Sequence, residues 1–295
     1  MDLPYLYQLQ HADYQSLEAA AFRVAVVDPD DTGLTADQIL DLRERQGKIL
    51  YAYTSIGEAE DYRGYWQPEW RLSPPDFLLA ENPEWEGNYR VAFWAPEWRD
   101  IVLGRVDDTV AAGYDGVYLD IVDGYEAEEV VRAYPGTSAA LRQEMVDFVT
   151  LISARAKAAD PDFAIIPQNA VGLLSVEESS LGSGPNLGYL AAIDGIGVED
   201  LWYDGDAPAG WTPGDLEMIG IAQRAGKFVL ATSYPAQEAA QRDFIDKALA
   251  AGLVPFVADR QLTGTIDPVN LGLRERMAGR DIVAPWNDGR RPTRR

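Results

Sequence analysis

The feature that most constrains this chain is a repeat: short apolar segments alternate with stretches of helical character along most of its length. Phe22–Asp28 (FRVAVVD) reads as the first strand, and Thr35 is placed to cap a helix that runs to about Gln46 and stops at Gly47. Lys48–Ser55 (KILYAYTS) reads as the second strand, Arg90–Ala95 (RVAFWA) as the third and Gly116–Asp120 (GVYLD) as the fourth. Phe163–Asn169 (FAIIPQN) is the fifth, with Pro167 ending or bulging it. Gly195–Glu199 (GIGVE), Lys227–Thr232 (KFVLAT) and Leu253–Ala258 (LVPFVA) complete the series. Helices are expected over Glu97–Ala112, Ser138–Ala159 capped by Ser138, Asn186–Ala192, Pro213–Ala225 capped by Thr212, and Ala236–Ala251.

Eight strand–helix units with buried, β-branched strands predict a closed (β/α)8 TIM barrel. The 295 residues suit one barrel of about 250 with insertions, so the chain is read as a single domain over residues 1–295. An open doubly wound sheet would carry a glycine-rich turn after its first strand. Here that turn is DPDDTG, which is not GxGxxG. Residues 56–85 form a long excursion rich in Trp, Tyr, Pro and Glu, and residues 288–295 (DGRRPTRR) read as a loose basic tail.

Composition narrows the chemistry. The net charge of −23 argues against a nucleic-acid partner, because polyanions would be repelled. No apolar run approaches the roughly 20 residues of a membrane span, and Met1–Gln10 lacks the pattern of a signal peptide. With no cysteine, disulfides, thiol catalysis and Cys-zinc sites are excluded. The single histidine, His11, precedes the first expected strand and is read as a packing or surface residue. Lys48 and Lys227 open their strands, while Lys157 and Lys247 fall on helices. No lysine therefore stands where a Schiff-base aldolase needs one. What remains is carboxylates, tyrosines and amides, and no cofactor or metal is expected.

In a barrel of this kind, chemistry sits at the carboxyl ends of the strands. Those ends offer Asp28 and Asp30, Tyr53 and Ser55 with Glu58 beyond, Trp94, Asp120 and Asp123, Gln168 and Asn169, Glu199 and Asp200, Ser233 and Tyr234, and Asp259. Two carboxylates from different strands suit glycoside hydrolysis, one protonating the leaving oxygen and the other attacking the anomeric carbon or activating water. Asp120 and Glu199 are the chosen pair. Each ends a short strand that begins at glycine, and strands four and six can share one inward-facing layer. Tyr51, Tyr53, Tyr62, Tyr65, Trp66, Trp94, Trp202, Tyr203 and Tyr234 offer aromatic faces to sugar rings, whereas Trp70, Trp85 and Trp98 are read as structural.

Three segments together resemble glycoside hydrolase family 114: YAYTSIGEAEDYRGYW (Tyr51–Trp66), GYDGVYLDIVDGYE (Gly113–Glu126) and IGVEDLWY (Ile196–Tyr203). The family is also described as endo-α-1,4-polygalactosaminidase-like, and an older label for it is "cysteinyl-tRNA synthetase-related". The HIGH and KMSKS signatures of such a synthetase are missing from this chain. The resemblance implies a retaining, cofactor-free hydrolase of α-1,4-linked galactosamine polymers. Carried onto this sequence, it makes Asp120 the nucleophile and Glu199 the general acid/base. Asp28, Tyr53, Glu58, Asp123 and Asn169 match positions that line the family's pocket, and Tyr234 fits as a wall. It also implies secretion.

The surplus of acids at the mouth independently suits a cationic amino sugar, whose ammonium would pair with Asp123 or Asp28. Two other readings stay open. One is a non-catalytic carbohydrate-binding barrel. The other is a divalent-metal enzyme using Asp28, Asp30, Asp120 and Asp123 as oxygen ligands.

Overall fold

The computed structural model of the chain describes residues 3–177 and 184–286; the basic tail expected at 288–295 lies outside the described residues. Eight parallel strands line up in chain order: Leu3–Gln8, Phe22–Val27, Ile49–Ser55, Gly116–Asp120, Ala164–Pro167, Gly195–Glu199, Phe228–Ser233 and Val254–Val257. They are barrel strands one to eight. Hydrogen-bonded ladders join one through five, and six through eight. Strand five meets strand six where Gln168 bridges to Gly197 and the Asn169 N–H donates to the Gly197 carbonyl at 2.8 Å. Strand eight lies beside strand one, with Phe256 edge-on to Tyr5 at 5.6 Å. The architecture is the (β/α)8 barrel.

One member of the expected strand set is exchanged. Leu3–Gln8, passed over in the sequence, is barrel strand one and is buried along its whole length. Arg90–Ala95 is not a barrel strand. Asn88–Val91 instead pairs antiparallel with Glu58–Glu60 and Leu78–Glu81 in a small separate sheet. The excursion after strand three is therefore longer than the sequence indicated, and it folds on its own aromatics. Trp66 packs on Trp70 and Tyr89, Trp70 on Phe77, and Phe77 on a fully buried Trp98. The two errors cancel in the count, so Gly116–Asp120 and Gly195–Glu199 remain strands four and six.

The outer helices include Pro96–Ala112, Ser138–Ala159, Thr212–Arg224 and Glu238–Ala250. Thr35 does cap its helix, in a capping box with Gln38. Thr137 rather than Ser138 caps the longest helix, accepting from the Ala140 N–H at 3.2 Å. Thr212 is no cap. Its hydroxyl donates to the Leu201 carbonyl at 2.5 Å and ties the start of that helix to the loop after strand six. Lys48 and Lys227 sit at the amino-terminal end of the barrel, donating to the carbonyls of Glu18 at 3.0 Å and Ile193 at 2.6 Å.

The period of two along a strand decides which side chains enter the barrel. On strand four, Gly116, Tyr118 and Asp120 share one face; on strand six, Gly195, Gly197 and Glu199 do. The glycines make room for aromatic filling. A Cβ on Gly197 would stand 1.8 Å from the Tyr118 hydroxyl, and one on Gly195 would stand 2.2 Å from the Phe228 ring. Phe228 in turn stacks on Tyr51 across the interior, with centroids 6.3 Å apart. The same faces that hold these interior contacts carry Asp120 and Glu199 to the mouth. Gly197→Ala is expected to overpack this layer and cost about 3 kcal/mol, read as a lowered denaturation midpoint. An unchanged midpoint would contradict the inward packing.

Candidate active site

The mouth is built by residues one step past the interior layer. On strand four, the Asp120 carboxylate is cradled on both oxygens. Tyr53 Oη donates to Oδ2 at 2.7 Å, and the Ile121 N–H donates to Oδ1 at 2.8 Å. Strands three and four are in register at Tyr53–Tyr118 and Ser55–Asp120, which brings the phenol level with the acid. Burial lifts the Asp120 carboxyl to about 6 against the opposing pull of these two donors.

On strand six, Glu199 is held as firmly. Gln168 Nε2 donates to Oε2 and Tyr234 Oη to Oε1. The Asn169 Oδ1 accepts from the Glu199 N–H at 3.0 Å, which fixes the strand end itself. Burial first, and then the negative charge of Asp120, raise the Glu199 carboxyl to about 7 against the pull of its hydrogen-bond donors. Both acids also act on the buried Tyr7 hydroxyl and hold its pKa up after burial has raised it, so the two carboxylates face one interior.

The backbone turns sharply at this rim. Ile121, Asn169, Ala170 and Asp200, which follow the ends of strands four, five and six, have φ of 54°, 55°, 48° and 49°. Asparagine tolerates this left-handed region, but a β-branched isoleucine there is strained by roughly 1–3 kcal/mol. The strain is spent where it aims Asp120, since the Ile121 N–H is one of that acid's two donors.

Asp123 lies in the short turn Val122–Glu126 beyond strand four. No side chain among the described residues bonds its carboxylate. Burial raises it to about 7, and the charges of Asp120 and Glu126 add to the rise. The charge of Arg90, itself paired with Glu58, pulls the other way.

Other residues expected to touch substrate are placed differently. Glu58 is wholly buried, ion-paired with Arg90 at 2.6 Å and bonded by Asn82 at 2.8 Å and Asn88 at 3.1 Å. It pins the small sheet and has no surface for a sugar. Asp28 is nearly buried, and both its oxygens accept from Arg63 at 2.6–2.7 Å. Arg63 also grips Glu60 at 2.7 Å and Asp30 at 3.0 Å, and lies over the Tyr53 ring at 5.8 Å. Asp28 is thus committed to a buried ion cluster that supports Tyr53 from behind. Trp202 is nearly buried against Phe244 at 6.0 Å, and half-buried Trp94 meets Tyr134 edge-on at 4.9 Å. Tyr234, expected as a wall, holds Glu199 through its hydroxyl and carries Arg260 over its ring at 4.5 Å, with Arg260 paired to Asp200 at 3.1 Å.

Sequence reasoning missed Gln168 as a partner of Glu199, and Tyr7, whose hydroxyl donates to Gln168 Oε1 at 2.9 Å. Gln168 was visible as a strand end, whereas Tyr7 was hidden by the unrecognised first strand. Among the described residues no three acids or histidines converge as a metal-ligand set, and no helix is long and apolar enough to cross a membrane.

The model of glycoside-hydrolase family GH114 matches residues 3–274, nearly the whole barrel. The chain belongs to that family. It is a glycoside hydrolase. A relative from Deinococcus radiodurans, described only as an uncharacterized protein, is 38% identical over 251 residues, covering 84% of this chain and 76% of the relative. Two solved structures share the barrel at low identity. Aspergillus fumigatus Ega3 in complex with galactosamine has a TM-score of 0.68 at 17% identity, over 89% of this chain and 93% of that one. The glycoside hydrolase domain of PelA from Pseudomonas aeruginosa has a TM-score of 0.63 at 19% identity, over 89% and 96%.

Proposed function

We propose that this GH114 hydrolase cleaves α-1,4-linked galactosamine-containing polysaccharide with retention, using Asp120 as nucleophile and Glu199 as general acid/base. The observation that carries the reading is the pair of cradles. Two inward-facing carboxylates, on strands four and six, are each held on both oxygens, with pKa values raised to about 6 and about 7. The galactosamine-bound Ega3 structure supports the choice of sugar.

The order of the two pKa values fits the division of labour. Ionised Asp120 attacks the anomeric carbon while Glu199 gives its proton to the departing glycosidic oxygen, and a covalent glycosyl–Asp120 ester forms. Glu199, now a carboxylate, takes a proton from water as that water attacks the same carbon. The Asp120–carbon bond breaks, and both acids return to their starting states. Retention requires the two carboxyl groups to stand about 5–5.5 Å apart.

The substrate class follows from the spare acid. Asp123 sits beside the nucleophile and feels the charge of Arg90, which Glu58 already holds in an ion pair, so a sugar ammonium at the neighbouring ring position would give it a cation of its own. A panel of polysaccharides including de-N-acetylated α-1,4-galactosamine polymer, with product sizes read by mass spectrometry, tests the reading. Shortening of the amino polymer is expected, and an intact amino polymer would refute it.

The pH profile has a definite sign. Activity requires Asp120 ionised and Glu199 protonated, so kcat/KM falls below about 6 as Asp120 gains a proton and above about 7 as Glu199 loses one. A narrow bell between these limits is expected in initial-rate measurements. A profile rising steadily to pH 9 would contradict the assignment of the acid.

A further inference from the structure

The two arms that hold Glu199 differ in what they can do with a proton. Gln168 Nε2 only donates, so Oε2 can accept from it but cannot carry a proton towards it. Tyr234 Oη, on Oε1, can donate or accept. The Gln168 amide is itself fixed, because its Oε1 accepts from the Tyr7 hydroxyl at 2.9 Å. Were the amide turned round, its oxygen would face a carboxylate oxygen and the Glu199 anion would lose a donor.

We infer that Tyr7 is a positioning residue. By holding the Gln168 amide with its nitrogen towards Glu199, it reserves Oε2 as an acceptor and leaves the transferable proton on Oε1, next to Tyr234. This rests on the proposed role of Glu199 as general acid/base. Tyr7 lies on strand one and does not reach the sugar through this contact. Its ring tilts against Tyr118 at 5.3 Å, and its hydroxyl is the link that reaches Gln168.

The titratable and charged groups facing Glu199 leave few competing explanations for a change in its titration. From strand four come Asp120 and Tyr118, from strand one Tyr5 and Tyr7, from the rim Asp200 with its partner Arg260, and from the end of strand seven Tyr234. Burial raises all four phenols, so they stay neutral through the working range. The acids that can titrate there are Asp120, which sets the acidic limb, and Asp200, which burial raises and Arg260 pulls back.

The test is the pH profile of kcat/KM for wild type, Tyr7→Phe, Gln168→Leu and the double variant. Losing the donor destabilises the Glu199 anion. The basic limb of Tyr7→Phe is therefore expected to move upward by about half to one pH unit, with the acidic limb unmoved. Gln168→Leu should move it the same way and at least as far, and the double variant no further than Gln168→Leu alone. A merely structural role would lower rates evenly across pH. An unmoved basic limb in a folded Tyr7→Phe, whatever Gln168→Leu does, or additive shifts in the double, would overturn the inference. If Tyr7→Phe folds poorly, Gln168→Leu supplies the same readout. Glu199→Gln, run alongside, separates the two failures. An inactive Glu199→Gln with unmoved limbs elsewhere refutes only the role of Tyr7, whereas a Glu199→Gln of wild-type rate refutes the reading on which it stands.

Discussion

Asp120→Asn is expected to lower kcat on the amino polymer by about 10³-fold or more while the barrel stays folded. The amide cannot form the glycosyl ester, yet it keeps the shape of the carboxylate: its oxygen can still accept from the Ile121 N–H, while its NH2 donates to the Tyr53 hydroxyl oxygen. Glu199→Gln is expected to lose activity on a comparable scale, because the amide has no proton to give to the leaving oxygen. The two variants differ in one respect. A substrate with an activated leaving group needs little proton donation, so the first step should recover in Glu199→Gln and not in Asp120→Asn. Initial rates on both substrate types, with circular dichroism to confirm folding, check the pair. Near wild-type turnover in either variant would mean that the chemistry lies elsewhere in the mouth.

Re-acetylating the polymer is expected to weaken cleavage by about 10²-fold, the scale of losing one partner of a desolvated charge pair. The physical cause is Asp123. Burial beside Asp120 and Glu126 holds its carboxyl up near 7, an unfavourable state that an adjacent ammonium relieves. Binding of the amino sugar should therefore drive Asp123 to ionise and release a proton. Asp123→Asn should erase most of the preference for the free amine while leaving the acetylated polymer nearly unaffected. Equal rates on both polymers with wild-type protein would remove Asp123 from substrate choice.

The strand-end logic of a barrel made the central pair of the candidate site legible in the sequence. GVYLD and GIGVE show a glycine at one end, an acid at the other and a period of two between, and those are the features that put Asp120 and Glu199 on the inward faces. Side-chain partnerships across the fold were not legible. Arg63 and Arg90 come from the excursion, so nothing local tells that they consume Asp28 and Glu58. Strand one was missed because LPYLYQ is short, contains proline and is rich in tyrosine, whereas RVAFWA looks more strand-like than it is. Its apolar residues instead serve a three-stranded sheet and the turn that opens the helix Pro96–Ala112. Trp202 shows the same limit. Proximity to Glu199 in the chain suggested a sugar platform, while the fold turns its indole onto Phe244.

The most direct test of a nucleophilic Asp120 opposed by a protonated Glu199 is the stereochemistry of the first product. Proton NMR of wild-type protein acting on de-N-acetylated α-1,4-galactosamine oligomer follows the new reducing ends before they equilibrate. Double displacement through Asp120 predicts that α-configured ends appear first and β-configured ends only later, as the α form mutarotates. β-configured ends appearing first would require water to attack directly and would contradict the account.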